Sequence, residues 1–535
     1  MSEHIFGSEI SRRRFLTSAA TVAGAIGAGA LLDACGSGSS ATTGPTNSAS
    51  SSASAATPKR GGTLTVGFTG GSSSDTVDGF NVYTSVDAAR CVALFEPLVQ
   101  FEANGQITNR LAEEFSSNAN GTVWTIRLRS GLTWHNGKDV TADDVLFTFG
   151  RMLNPKTPTL GAAAMGTVDP HGLKKLDKLT VQLKTTAPQT TLKEQMSTLY
   201  FPLAPVGYDP KHPIGCGAFK LDSFAPGQRS VMSRFDDYYL SPMPYLDQLI
   251  IEDFPTSTAQ LNALRGGSIN AAGALPWIAV RELTGQSSVT VLNKRSGQWL
   301  TYPMRTDTGP FKDVRVRQAF RLLVDRPQFV SNVFDGQAVL GNDVFSRFDP
   351  NYNSALPQRH QDVDQAKSLL KAAGMQDYAF TLVSGPWAPG VLEGANLIAA
   401  QASSAGVKLK VVNQPIGQFV EQGYLKDPFA SSYWYDNKYA AQCCLSMTKT
   451  AGQNEQHWSD PQWDSLWNEL NKTSDPGKYQ DVVHEMQSVE YQRGGYLIPG
   501  FFNEVDAVAS DVNGLGVDNT IGPFGGPHFE LGWLG

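Results

Sequence analysis

The sequence predicts a mixed fold of the α/β or α+β class, because strand patterns and helix patterns are interspersed along the chain. Leu64, Val66 and Phe68 alternate with small or polar residues, which is typical of a strand with one buried face. Val145 and Phe149 instead belong to an apolar set with helical spacing. About 475 residues follow residue 60, more than one hydrophobic core usually holds, so we expect two or three lobes.

Further elements are predicted in chain order from local signals. Trp124, Ile126 and Leu128 alternate with polar residues and predict a half-buried strand. Thr141 precedes the helix that contains Val145, and Asp144 follows at the position of a capping box. The other clear patterns are one strand and four helices, at 179–184, 314–326, 362–374, 461–470 and 478–492.

The first 34 residues have the pattern of an export signal. Three arginines at 12–14 precede an uncharged stretch at 15–32 that is rich in alanine and glycine. The stretch is too mildly apolar for a permanent membrane span. The paired arginines resemble a twin-arginine export signal, and residues 32–35 resemble a bacterial lipobox in which Cys35 is lipidated. A plain signal peptide with an incidental cysteine is the alternative.

A polar, uncharged segment follows Cys35. Residues 36–58 contain no charge and no large apolar side chain, so they cannot bury enough surface to offset the entropy of ordering. We therefore expect residues 35–60 to form a lipidated tether.

Charge and cysteine content exclude some functions and leave others open. The net charge is −7 and no basic block follows the signal, so the sequence predicts no nucleic-acid partner. Four cysteines remain besides Cys35, and an exported protein meets oxidising conditions in which a disulfide can form. Three complete pairings are possible. The adjacent Cys443 and Cys444 are too close for a relaxed bridge to each other.

No catalytic motif occurs after the signal. The segment lacks G-x-S-x-G, H-E-x-x-H, C-x-x-C and a phosphate loop. The eight histidines include no pair at helical spacing, although histidines distant in sequence could meet in space. The sequence therefore predicts no enzyme, no cofactor and no purpose-built metal site.

Several short motifs occur in a fixed order along the chain. Residues 93–153 contain E-P-L, L-A-E, L-R-x-G-x-x-W and T-A-x-D-V, and residues 309–326 contain P-F-x-D-x-R-V-R. Residues 213–219 add a turn of the type G-T-G-x-Y, with Cys216 in place of threonine. This ordered set resembles family 5 of the extracellular solute-binding proteins, which serve peptide and nickel import by ATP-driven transporters. The resemblance extends from about residue 61 to the last residue.

The resemblance implies a two-lobed clamshell with an extra inserted domain, in which ligand binds between the lobes and hinged closure buries it. The implied boundaries are lobe I at 61–84, 201–299 and 500–535, the inserted domain at 85–200, and lobe II at 300–499.

The resemblance also implies ligand contacts. Asp436 occupies the place of an aspartate that accepts the α-ammonium of bound peptides, and Tyr433 and Trp434 precede it. A cation buried by closure needs such an opposite charge. Asp436 could instead be a solvated turn residue, and the aromatic residues could be ordinary core. In lobe I, three residues fall where the family approaches the ligand backbone: Tyr83, Thr84 and Ser85.

Three further candidates are predicted, and two of them carry open alternatives. Arg305 could clasp a ligand carboxylate, or it could pair with Asp307 as a structural bridge. Trp387 lies in a loop bounded by glycine and proline, where it could line the cleft or pack on the surface. Cys216 is a candidate contact because of the turn that it occupies.

The function implied by the resemblance is that of an extracytoplasmic substrate-binding lipoprotein of an ABC importer. It would be anchored to the membrane through Cys35, act as a monomer, capture short peptides and deliver them to a permease. The same fold could instead bind a non-peptide solute, such as an oligosaccharide, a metal chelate, haem or a cationic metabolite. A sensor or folding helper at the cell surface is a third possibility.

Overall fold

A computed structural model of the protein describes residues 57–102, 104–516, 522–526 and 528–535. The predicted signal, the lipobox with Cys35 and most of the predicted tether lie outside these residues. The strands, numbered in chain order, are β1 (Thr63–Thr69), β2 (Val99–Phe101), β3 (Ile107–Asn109), β4 (Ala112–Ser117), β5 (Val123–Leu128), β6 (Lys174–Lys175), β7 (Thr180–Lys184), β8 (Phe219–Ala225), β9 (Arg229–Arg234), β10 (Gln248–Phe254), β11 (Ala271–Ala272), β12 (Val289–Lys294), β13 (Trp299–Thr301), β14 (Ala338–Leu340), β15 (Phe380–Ser384), β16 (Leu409–Asn413), β17 (Ser432–Trp434), β18 (Gly500–Phe502), β19 (Glu504–Ala509), β20 (Val512–Asn513) and β21 (Trp533–Leu534).

The α-helices alternate with these strands, which gives the mixed class that the sequence predicts. They are α1 (Ser85–Leu94), α2 (Ala142–Leu153), α3 (Leu192–Gln195), α4 (Ser257–Arg265), α5 (Ile278–Leu283), α6 (Val314–Leu323), α7 (Arg326–Val333), α8 (Val363–Ala372), α9 (Val391–Ser404), α10 (Ile416–Gln418), α11 (Tyr439–Ser446), α12 (Pro461–Leu470) and α13 (Pro476–Arg493). Among the described residues, no helix has both the length and the apolar character needed to span a bilayer.

A seven-stranded mixed sheet forms what we call the first lobe, in the order β12-β19-β11-β1-β10-β9-β8. β1 lies near its centre, parallel to β10 and β11. Leu64, Val66 and Phe68 on β1 are fully buried, which confirms the alternation in the sequence. Helix α1 packs against β1, β8 and β10 of this sheet.

A smaller four-stranded sheet, in the order β4-β5-β7-β6, forms the inserted domain together with α2. Trp124, Ile126 and Leu128 on β5 are buried, as predicted. Helix α2 begins after Thr141, whose backbone N–H donates to Asp144 Oδ2 at 2.8 Å within a complete capping box. The local helix signal in the sequence is therefore confirmed.

A second four-stranded sheet, in the order β14-β18-β13-β17, forms with the β15–β16 pair what we call the second lobe. The chain crosses between the lobes from β12 to β13 and again from β18 to β19. Amide groups tie the two crossings together. Asn503 Nδ2 donates to Asn293 Oδ1 at 3.0 Å, and Asn293 Nδ2 donates to Gln337 Oε1 at 2.8 Å. Two adjacent crossings of this kind are suited to a hinge.

The helix predicted over 314–326 is wrong at its end. Helix α6 stops at Leu323, and Asp325 caps a new helix by accepting from Gln328 N at 2.9 Å. Pro327 lies in the first turn of α7, where its missing N–H leaves no bond unmade. The proline therefore begins a helix here rather than following one.

Helices α11, α12 and α13 lie against the inserted domain. Glu194 at the inserted domain accepts from Ala440 N at 3.1 Å and from Tyr479 Oη at 3.2 Å. Cys443 and Met486 belong to the same buried apolar cluster as the first lobe. Helices α11 and α13 are therefore joined to the inserted domain by hydrogen bonds and by a shared apolar cluster.

Candidate ligand site in the interlobe cleft

Strand β17 carries a run of aromatic residues to the edge of the cleft. Trp434 is buried, stacks on Trp299 of β13 with ring centroids 6.1 Å apart, and donates from Nε1 to Glu455 Oε2 at 3.1 Å. The strand is thus fixed by a core residue. Tyr433 and Tyr435 flank Trp434, and strand alternation directs them to the opposite face, toward the first lobe.

Two tyrosine hydroxyls cross the cleft. Tyr433 Oη donates to the backbone oxygen of Tyr83 at 3.3 Å, and Tyr435 Oη donates to Ser85 Oγ at 3.0 Å. The segment that they reach is well held, because Thr84 caps α1 by accepting from Asp87 N at 3.2 Å. These bonds join the two lobes across the cleft.

Asp436 is a buried carboxylate without a partner. Its side chain is only 7% exposed, and within the described part of the chain it makes no hydrogen bond or ion pair. The carboxylate lies against Gly297, where an added Cβ would come 2.2 Å from Asp436 Cγ. Burial, with a smaller contribution from Asp349, raises the pKa of Asp436 to about 8, and Lys438 opposes this rise. The positive charge of Lys438 therefore acts on Asp436 from a distance, without forming an ion pair with it.

Asp436 lines the largest of three cavities in the cleft, which we call the aspartate cavity. Its empty volume is about 970 Å³, counting space open to solvent. Its walls come from α1, the inserted domain and the second lobe, and they are mostly apolar. Val92, Phe95, Phe101 and Pro202 are among the apolar contacts.

The polar groups on the far wall of this cavity are already paired with each other. Arg110 donates to both oxygens of Glu96, at 3.0 Å and 2.7 Å. His528 Nδ1 lies 2.9 Å from Glu530 Oε1. Burial would raise the pKa of Glu530, but His528 and Arg110 hold it at about 2. Asp436 thus differs from these buried acids in having no cationic side chain hydrogen-bonded to it within the described residues.

A second cavity, which we call the aromatic cavity, has an empty volume of about 380 Å³. Seven of its lining residues are aromatic, namely Tyr83, Tyr200, Trp387, Tyr424, Tyr433, Trp434 and Tyr435. The buried indole N–H of Trp387 has no hydrogen-bond partner among the described residues. A third cavity of about 370 Å³, which we call the hinge cavity, lies next to the crossings and is lined by Ser85, Tyr433 and Glu504 among others.

The structure gathers seven of the nine candidate ligand contacts around these cavities. They are Tyr83, Thr84, Ser85, Trp387, Tyr433, Trp434 and Asp436. Asp436 is not a solvated turn residue. Trp434 is at once a core residue and part of a cavity wall.

Arg305 and Cys216 line none of the three cavities. Arg305 donates to both oxygens of Asp307, at 3.0 Å and 2.8 Å, and to the backbone oxygen of Lys426, so it forms the structural bridge that was one of its two expected roles. Cys216 is buried where the chain packs against the end of α1, and Gly217 N donates to Leu94 O at 2.9 Å. The four described cysteines are all buried and free.

Sequence reasoning missed several cavity residues. Tyr435 belongs to the same aromatic run as Tyr433 and Trp434 and follows the end of β17, two residues from Tyr433, so the pattern of the strand points to it. Glu96, Arg110, His528 and Glu530 are distant in sequence and carry no common local pattern. Among the described residues, no group of histidine, cysteine, aspartate and glutamate has the arrangement of a metal site.

Two lobes joined by paired crossings, with a buried cleft between them, define the class of two-lobed periplasmic binding proteins. The model of the family described as "Bacterial extracellular solute-binding proteins, family 5 Middle" matches residues 106–453. The chain belongs to family 5 of the bacterial extracellular solute-binding proteins.

Individual relatives are distant in sequence and similar in fold. The dipeptide-binding protein of Escherichia coli K12 is 25% identical over 499 residues, which cover 84% of this chain and 90% of that protein. The periplasmic binding protein DppA of Helicobacter pylori, solved with the peptide STSA, has a TM-score of 0.81 at 20% identity, covering 89% of this chain and 98% of that one. AgaA of A. tumefaciens R10, solved with agropinic acid, has a TM-score of 0.80 at 20% identity, covering 89% and 99%.

Proposed function

We propose that this protein is the substrate-binding lipoprotein of an ABC importer, held outside the membrane by a lipid on Cys35. It acts as a monomer, captures short peptides between its lobes and delivers them to a permease. The proposed lobe boundaries are those that the sequence implies, except that residue 299 and residues 500–502 are assigned to the second lobe with strands β13 and β18. The observation that carries the proposal is the unpartnered carboxylate of Asp436 in the wall of a large interlobe cavity.

The chemistry of Asp436 favours a ligand with an ammonium group. A buried carboxylate without a partner is unfavourable, and it is held in its neutral form unless a cation approaches. The α-ammonium of a peptide would supply that charge and several N–H donors at once. The buried acids Glu96 and Glu530 have their cations within the protein, so the free position is at Asp436.

The fold supports capture and release rather than catalysis. The two crossings between the lobes allow hinged closure around a ligand. Ligand contacts come from both lobes, with Ser85 on one side and Asp436 on the other. A permease could therefore distinguish the loaded protein by its closed shape.

The proposal is tested by native mass spectrometry of exported protein that lacks Cys35, purified without denaturation. Short peptides released on unfolding, and absent from an Asp436→Ala variant, are the expected result. Asp377→Ala, at an exposed position, is the matched control and should retain the peptides. Recovery of peptides from Asp436→Ala at the level of the unmodified protein would contradict the proposal.

A second candidate function is the binding of a non-peptide solute. The observation that favours it is the aromatic cavity with the unpartnered indole N–H of Trp387. Aromatic walls with a free donor suit a sugar or another ring. A single non-peptide mass, released equally from the unmodified protein and from Asp436→Ala, would make this function the leading one.

A further inference from the structure

We infer that the site takes a short ligand, an ammonium group joined to a compact apolar body, and that Tyr435 sets its length limit. This inference deepens the proposed function and rests on it. It follows from how the cleft is divided and from which polar groups remain free inside it.

The first step concerns the walls between the cavities. Tyr435 lines both the aspartate cavity and the aromatic cavity, and Tyr433 lines both the aromatic cavity and the hinge cavity. Each side chain also reaches the first lobe through its hydroxyl, to Ser85 and to Tyr83. The two tyrosines therefore act as partitions that divide the cleft along β17.

The second step concerns ligand length. Asp436 and Tyr435 are adjacent in sequence, so an ammonium held at Asp436 places the ligand beside the first partition. An extended peptide advances about 3.3 Å per residue. A peptide that runs along β17 therefore meets the ring of Tyr435 within about two residues, and the ring blocks its path into the aromatic cavity.

The third step concerns the body of the ligand. Within the described wall of the aspartate cavity, the Arg110–Glu96 and His528–Glu530 pairs satisfy one another. A polar or charged ligand group beside them would have to break a pair or remain without a partner, and both are unfavourable. Apolar contacts such as Val92, Phe95 and Phe101 form much of the remaining wall. Thr198 Oγ1, a buried hydroxyl of the same wall, has no hydrogen-bond partner among the described residues. The group next to the ammonium is therefore uncharged and largely apolar, with room for at most a hydrogen bond to this hydroxyl.

Isothermal titration calorimetry with defined peptides tests the inference on the soluble protein lacking residues 1–35. The probes are Leu-Ala, Leu-Ala-Ala-Ala, Asp-Ala and N-acetyl-Leu-Ala. We expect Leu-Ala to bind at least about tenfold more tightly than either Leu-Ala-Ala-Ala or Asp-Ala. N-acetyl-Leu-Ala, which lacks the ammonium, should not bind.

Variants of Tyr435 then identify the partition. Tyr435→Ala should strengthen binding of Leu-Ala-Ala-Ala at least about tenfold relative to Leu-Ala. Tyr435→Phe, which keeps the ring and loses only the bond to Ser85, should largely retain the preference for the dipeptide. An unchanged length preference in a folded Tyr435→Ala protein would overturn the role of Tyr435. If that variant does not fold, Tyr435→Leu provides the same comparison with a smaller change.

The outcomes separate this inference from the proposed function. Equal binding of Leu-Ala and N-acetyl-Leu-Ala, or binding of neither, would remove the ammonium site and with it the proposed function. Equal binding of Leu-Ala and Leu-Ala-Ala-Ala by the unmodified protein would leave the ammonium site intact and refute the length limit. Equal binding of Leu-Ala and Asp-Ala would refute the apolar body.

Discussion

Replacing Asp436 with asparagine should stabilise the empty protein while it removes ligand binding. Burial raises the pKa of Asp436 from 3.8 to about 8, so the folded protein holds a proton that the unfolded chain releases above pH 3.8. Its contribution to stability is therefore most favourable at acid pH and is lost as the pH rises from 3.8 toward 8. At about 1.4 kcal/mol per pH unit, the loss at pH 7 is at most about 4 kcal/mol.

Asparagine has no charge to desolvate, but its buried amide also lacks partners, which costs about 1–3 kcal/mol. We therefore expect a net gain on the order of 1–3 kcal/mol at pH 7, seen as a higher Tm in differential scanning fluorimetry. The gain should shrink toward pH 4. With Leu-Ala at a hundred times its Kd, the unmodified protein should gain about 2.7 kcal/mol and the variant nothing. A variant that melts below the unmodified protein at pH 7 without ligand, or a Tm difference that is constant from pH 4 to 8, would refute this reasoning.

Three further predictions concern neighbouring features. Gly297→Ala should displace the Asp436 carboxylate and lower affinity for Leu-Ala at least about tenfold in calorimetry, whereas Gly150→Ala, which has open space at its Cβ, should change nothing. An unchanged affinity in Gly297→Ala would show that the contact with Asp436 does not matter. Arg305→Met should alter affinity for Leu-Ala less than twofold and stability by about 0–1 kcal/mol, because Arg305 forms a partly exposed ion pair. A tenfold loss of affinity would show instead that Arg305 contacts the ligand. The four buried cysteines should resist a thiol reagent in the folded protein and all react after unfolding. A reductant should leave the Tm unchanged. Fewer than four reactive thiols among these cysteines in the unfolded protein would reveal a disulfide.

Local patterns in the sequence predicted local structure well. Alternation on β1 and β5, and the capping signal at Thr141, depend on residues close together in the chain, and the structure has them as expected. The helix over 314–326 failed because Asp325 can cap a new helix, and a capping residue outweighs apolar periodicity at that point. Sequence alone does not weigh two such local signals against each other.

The candidate site was only partly predictable, for a physical reason. The resemblance pointed to Asp436 and its neighbours, but nothing local shows that a carboxylate will be buried without a partner. That property depends on Gly297 and Asp349, which approach from separate segments, and on the placement of Lys438 two residues along the chain. The contact of Tyr435 with Ser85 likewise joins residues that are 350 positions apart in the chain. The free state of the cysteines depends on their separate burial in the core.

The burial of the Asp436 carboxylate without an ion-pair partner also affects how often the empty protein would adopt the closed shape. Closing an empty cleft forces this carboxylate out of water with no cation to meet it, so the protein must either take up a proton or tolerate a buried charge. Closing around an ammonium removes that penalty. If Asp436 binds the ligand as proposed, the same residue also resists closure without ligand, and a transporter that responds to the closed shape would rarely hydrolyse ATP for an empty binding protein.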